Sequence, residues 1–185
     1  MLRGRDVTQP EPIQFMSQMT SVDYTIPAPS ALGVHVSEQL ALGRVIGHAC
    51  SQCARVYVPP RGYCPLCCIA TTAADEVELA ARGIVTTFSV ITPMQYQGQQ
   101  ETDDYVQATI LLEASTSTVG MQRLAEIAIA EVRTGLRVEA VWRSDAERRG
   151  QGGGGRAMAF GEAISGWRPT GEPDAPIADY ADYVV

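Results

Sequence analysis

Lysine is absent from this 185-residue chain; all fourteen of its basic residues are arginine. That excludes a Schiff-base amine and the lysine of a phosphate-binding P-loop. Histidine is nearly absent too. His35 and His48 are the only two, and neither belongs to an H-x-x-x-H or H-E-x-x-H unit, so a catalytic metal site and a Ser-His-Asp triad have little to draw on. No G-x-S-x-G elbow occurs. With three phenylalanines and a net charge of −7, the chain lacks the basic, aromatic-lined groove that nucleic acids require. No window approaches the roughly 20 apolar residues a helix needs to cross a bilayer. The first nineteen residues hold two arginines and no apolar stretch of the secretory kind. The expectation is a soluble, cytoplasmic chain whose thiols stay reduced, with Met16 as an alternative start.

What the chain does have is cysteine in a pattern. Four of its five cysteines stand as Cys50-x2-Cys53-x10-Cys64-x2-Cys67. A thiolate pair two residues apart closes a tight turn around one side of a metal ion, and a second pair completes a tetrahedron. Four sulfurs leave no open position for water or substrate, so the expectation is one structural zinc per chain. His48, two residues before Cys50, reads as a strand residue and not a ligand. Cys68 follows Cys67 directly, and spacing symmetry picks Cys67 as the fourth ligand. Cys68 stays open between a buried small side chain, an alternative ligand and a reactive thiol.

Apolar residues make up 45% of the chain, enough for a core. Residues 1–30 are polar and carry Pro27 and Pro29, which predicts an extended arm. Residues 33–40 fit either a strand or one helical turn. Residues 44–49 and 55–58 read as short strands flanking the first cysteine pair, and Pro59-Pro60-Arg61-Gly62 is turn chemistry. Residues 83–92 and 105–112 are rich in β-branched side chains, with a polar loop between Gln95 and Asp104. The β pattern continues at 115–119 and 124–130, and 135–142 alternates apolar and polar cleanly. Residues 145–156 read as a flexible loop whose glycine run at 150–155 lacks the P-loop signature. Residues 157–160 and 164–167 read as the last strand region. In the acidic tail, Ile177, Tyr180, Tyr183 and Val184 recur at helix-like spacing, so it either docks on something or is disordered.

The predicted fold is mainly β: a rubredoxin-like zinc ribbon followed by a five-stranded OB-fold barrel, with extended N- and C-terminal arms. The expected limits are 1–40 for the N-terminal arm, 41–75 for the ribbon, 76–170 for the barrel and 171–185 for the tail. Residue chemistry alone points to a binding or assembly protein and not a self-sufficient enzyme.

Residues 42–67, with Pro59-Pro60-Arg61 ahead of Cys64-Pro65-Leu66-Cys67, resemble the zinc-ribbon OB-fold family termed domain of unknown function thirty-five, whose members accompany thiolase-fold enzymes. Residues 83–90 look like that family's first barrel strand, 104–113 like its second and 134–142 like a later one. The resemblance covers roughly residues 40–170. Two departures are the proline-rich N-terminus, where family members often carry a helix, and the long acidic tail. The resemblance implies a non-catalytic accessory subunit that assembles with a thiolase-fold acyl-CoA enzyme, as a hetero-oligomer of two plus two. It implies that the reactive groups sit in the partner and that this chain helps form the CoA-substrate site. The partner it points to is a retro-aldolase of steroid side-chain degradation. Arg61, presented by the Pro-Pro turn, and Arg55 and Arg82 are the candidate contacts for CoA phosphates. Competing readings are a nucleic-acid-binding ribbon and OB module, and a free-standing acyl-CoA-binding protein.

Overall fold

A computed structural model describes Thr20 and residues 30–93, 103–151 and 159–184, apart from the side chains of residues 150 and 151. Most of the expected extended arm, the loop over 95–102 and the glycines at 152–155 lie outside the described residues.

Residues 33–40, placed by sequence in the N-terminal arm and left open between strand and helical turn, lie within helix α1 (Ala31–Ala41). The Ser30 side chain caps it by accepting the Gly33 N–H at 3.1 Å. Val36 and Leu40, four residues apart, are its buried contacts. Gly43, at φ +77°, ends it, in the left-handed conformation that glycine adopts without a Cβ clash.

The ribbon is a three-stranded antiparallel sheet of order β2-β1-β3, built from β1 (Val45–Ala49), β2 (Val56–Tyr57) and β3 (Glu76–Leu79). β3 therefore hydrogen bonds with the ribbon although it leads directly into the barrel. The second sheet has order β6-β5-β4-β7-β8. Its strands are β4 (Arg82–Ile91), β5 (Tyr105–Leu112), β6 (Thr118–Arg123), β7 (Arg137–Trp142) and β8 (Ile164–Pro169). A parallel bridge between Leu124 and Trp167 joins the two ends and closes the OB-type barrel. Inside it, Val106, Ala108, Ile110 and Leu112 alternate along β5 and meet Val85, Val138 and the fully buried Trp167. Gly83 permits the close approach of β4 and β5; a Cβ there would lie 2.4 Å from the Leu111 carbonyl oxygen.

The same apolar core runs on into α1 and the base of the ribbon through Val36, Leu40, Val45, Ile46, Val58 and Leu79. Polar contacts fix the junction. Val56 N–H donates to Thr116 Oγ1 and Val58 N–H to Ser117 Oγ, each at 2.8 Å. Thr116 N–H returns a bond to the Val56 carbonyl at 2.9 Å.

Three sequence expectations need correction. Residues 124–130 do not continue a strand: the chain leaves the sheet after Leu124, turns at Glu126 with φ +55°, and makes a short 3-10 turn at Ile129–Glu131. The loop expected from 145 begins as helix α2 (Asp145–Gln151). It is nucleated by a capping box in which Ser144 N–H donates to Glu147 Oε2 at 2.9 Å and Glu147 N–H returns to Ser144 Oγ at 3.4 Å. In the last strand region Phe160–Ala163 is a helical turn, α3, and the strand starts at Ile164.

Within α2, Arg148 is 8% exposed. It donates to the Ala41 and Arg143 carbonyls, pairs with Asp145 and stacks 5.5 Å from the Trp142 ring. A guanidinium against the C-terminal carbonyls of α1 suits that helix's dipole.

The acidic tail docks on its own barrel. Ala175 and Tyr180 are buried against Ile84 and Leu111 on the outer face, and Ala175 N–H donates to the Gly135 carbonyl at 2.8 Å. Asp174 takes two bonds from Arg133, at 2.6 and 2.8 Å, and Glu172 takes one from Arg82 at 2.6 Å. Exposed pairs contribute little each, so Ala175 and Tyr180 are the main anchors.

Candidate metal centre

The two cysteine pairs lie on knuckles of the same backbone design. In the first, Cys50 N–H donates to the Arg55 carbonyl and Ala54 N–H to the Cys50 carbonyl, both at 2.8 Å. In the second, Cys64 N–H donates to the Ile69 carbonyl at 2.8 Å and Cys68 N–H to the Cys64 carbonyl at 2.9 Å. The residue four past each leading cysteine, Ala54 or Cys68, takes φ +57°. Cys68 is therefore the counterpart of Ala54. It is exposed, and its thiol faces the Pro65 carbonyl at 3.9 Å.

The four remaining sulfurs, on Cys50, Cys53, Cys64 and Cys67, all lie within 4.8 Å of one another. The Cys53 and Cys64 sulfurs are 3.7 Å apart, close to the ~3.8 Å edge of a tetrahedral zinc–thiolate shell. Cys50 and Cys64 are buried. The donor set and its spacing fit one zinc ion with no open position.

The electrostatics agree. Burial opposes ionisation of Cys64, but the Cys67 N–H at 3.4 Å and the Tyr57 hydroxyl at 3.7 Å outweigh it, and its pKa falls to about 6. Cys67 moves the other way, to about 12, held first by its bond with Cys53 and then by burial. Thiols this close cannot all shed their protons by themselves; a dication removes that conflict. Burial and the Cys64 sulfur push Tyr57 up to about 12, so its hydroxyl remains a donor.

His48 is 3% exposed on β1 and bonds Thr71 Oγ1 through Nδ1 at 2.9 Å. It stands outside the sulfur cluster, as a strand residue. His35 Nε2 lies 2.6 Å from Glu76 Oε2 and ties α1 to β3.

The three arginines singled out by sequence are placed differently. Arg61 is exposed and stacks 5.8 Å above the Tyr57 ring. It lies on the rim of an apolar groove of about 560 Å³ between α1, the Pro59-Pro60 turn, β6 and α3. Arg55 is exposed beside the first knuckle. Arg82 is on the barrel and is held by Glu172 of the tail. Sequence reasoning missed Tyr57, whose hydroxyl reaches Cys64, and Thr116 and Ser117, which lock ribbon to barrel. No local signal marks them, since each acts across a fold-level contact.

Two family models match the chain: the ChsH2 rubredoxin-like zinc ribbon domain over residues 37–70, and the ChsH2 C-terminal OB-fold domain over residues 76–143. A DUF35 domain-containing scaffold protein of Methanocaldococcus jannaschii is 34% identical over 111 residues, covering 59% of this chain and 72% of that protein. Among solved structures, an Ltp2–ChsH2 (DUF35) aldolase aligns with TM-score 0.51 and 22% identity, over 78% of this chain and 98% of that one. A DUF35 protein of Sulfolobus solfataricus aligns with TM-score 0.49 and 20% identity, over 60% and 78%.

Proposed function

The chain belongs to the DUF35 family, and from that premise we propose that it is a non-catalytic accessory subunit of an aldolase complex. More finely, the catalytic partner is a thiolase-fold acyl-CoA enzyme, joined two to two. The reaction served is retro-aldol cleavage of an acyl-CoA in steroid side-chain degradation. The observation that carries the reading is the closed four-sulfur centre on an OB barrel, a pairing shared with ChsH2. A closed shell holds shape and offers no position for substrate.

The chain's part is then to complete the partner's CoA site. Arg55 and Arg61 meet no carboxylate among the described residues, so they are the arginines available to CoA phosphates. Arg82 serves only if Glu172 releases it. The nucleic-acid reading loses support because acids of the tail lie over part of the barrel's outer face.

The test is co-expression of the full chain with candidate thiolase-fold subunits. A stable complex in which acyl-CoA cleavage requires both chains is the expected result. A chain that never co-purifies with such a subunit sinks the proposal.

A further inference from the structure

The far half of β4 exposes apolar side chains along an edge that no described strand covers. β7 pairs with β4 only at Arg82, Gly83 and Ile84. The last backbone bonds on that side join Val85 to Gly135 and Leu136, at 2.8 and 2.9 Å. β4 then runs on, paired with β5 as far as Ile91 opposite Tyr105, and no described strand meets the other edge of Thr87–Ile91. In an antiparallel strand alternate residues turn their N–H and C=O outward on that side.

Natural edges are blunted with charge, proline or a covering element. The run Thr87-Phe88-Ser89-Val90-Ile91-Thr92 has no charge, and no proline precedes Pro93. Phe88 and Val90 share one face of the strand and are 37% and 44% exposed. At the outer end of the same two-stranded arm lie Asp103 and Asp104, both exposed. Neither has a cationic partner among the described residues.

We propose that this edge is a strand-addition site for an extended segment of the enzyme subunit. The segment lays alternate apolar side chains beside Phe88 and Val90 and carries a basic residue toward Asp103 and Asp104. Charge complementarity selects this occupant over a second copy of the chain, which would bring a second pair of acids and another net charge of −7. The inference rests on the accessory-subunit reading above and names the surface that serves it.

The experiment uses the full chain and the co-purifying thiolase-fold subunit, with calorimetry for affinity and amide exchange for the edge. Val90→Lys and Phe88→Lys should each weaken binding about tenfold or more. Asp103→Asn with Asp104→Asn should weaken it about threefold and flatten its salt dependence. Zinc content and Tm of the free variants should match the parent. In the wild-type complex, amides over 87–91 should gain about tenfold protection, a readout that needs no variant to fold. If the complex forms but the lysine variants bind within about twofold of the parent, or the amides gain nothing, the edge is not the site and the accessory reading stands. If no complex forms, both fall. A homodimer that Val90→Lys dissociates, or edge protection lost on removing residues 1–29, would identify a different occupant and overturn the inference.

Discussion

The tip of the ribbon and the barrel are held by different physics. Among the described residues, the buried cluster around the metal centre is Cys50, Tyr57 and Cys64, with Cys67 and Ile69 against it. The barrel buries Val85, Ile110, Leu112, Val138 and Trp167, and shares that core with α1 and the base of the ribbon. At about 25 cal/mol per Å² of apolar surface, the barrel has ample drive to fold and the knuckles have almost none. The tip is ordered by what its sulfurs bind, and the barrel by what its strands exclude from water.

The widest test of that contrast is metal removal. A structural zinc contributes about 10–16 kcal/mol of binding free energy that is also folding free energy. Cys64→Ser, or chelation, should abolish the one-per-chain zinc and loosen residues 50–69 while amides in β4 to β8 stay protected. Equal protection in the knuckles of zinc-free protein would erase the distinction. Zinc binding must strip the proton that Cys67 retains up to about 12, so measured zinc affinity should fall as pH falls.

The opposite perturbation is Trp167→Ala. This side chain is fully buried and donates its Nε1–H to Gln122 at 3.1 Å. Its loss should cost about 3–5 kcal/mol, read as a lower denaturation midpoint. The folded fraction should keep its zinc. Zinc release from folded Trp167→Ala would mean that tip and barrel stand or fall together.

Cys68→Ala should do least, within about 0.5 kcal/mol, with zinc content unchanged. Ala54 already occupies the equivalent position of the other knuckle. Loss of zinc from this variant would make Cys68 a ligand after all.

Much of this was legible in the residues. The cysteine spacing gave the four candidate ligands, β-branched runs gave β4 and β5 nearly in place, and alternation gave β7. Helix α2 was missed although its Ser144-x-x-Glu147 capping box stands in the sequence, because the glycines after it drew the whole stretch into a loop. Residues 124–130 were misread because alternating Ile and Ala mimic a strand. What ends β6 there is a bridge to Trp167, more than forty residues away in sequence. The tail's partner was equally hidden. Its Tyr180 spacing left docking and disorder both open, and only Ile84 and Leu111 of the barrel, which bury Ala175 and Tyr180, say that it docks and where.

By itself, then, the sequence determined the metal chemistry, the β class and the order of ribbon before barrel, because ligand spacing and strand periodicity are local properties. The tertiary structure decided where the spare Cys68 sits, where the tail lies and which strand edge no described strand covers. Each of those depends on groups distant in the chain meeting in space. Cys68 is excluded because its knuckle repeats the geometry of Ala54. Among the described residues the far edge of β4 is unpaired because β7 stops pairing after three residues.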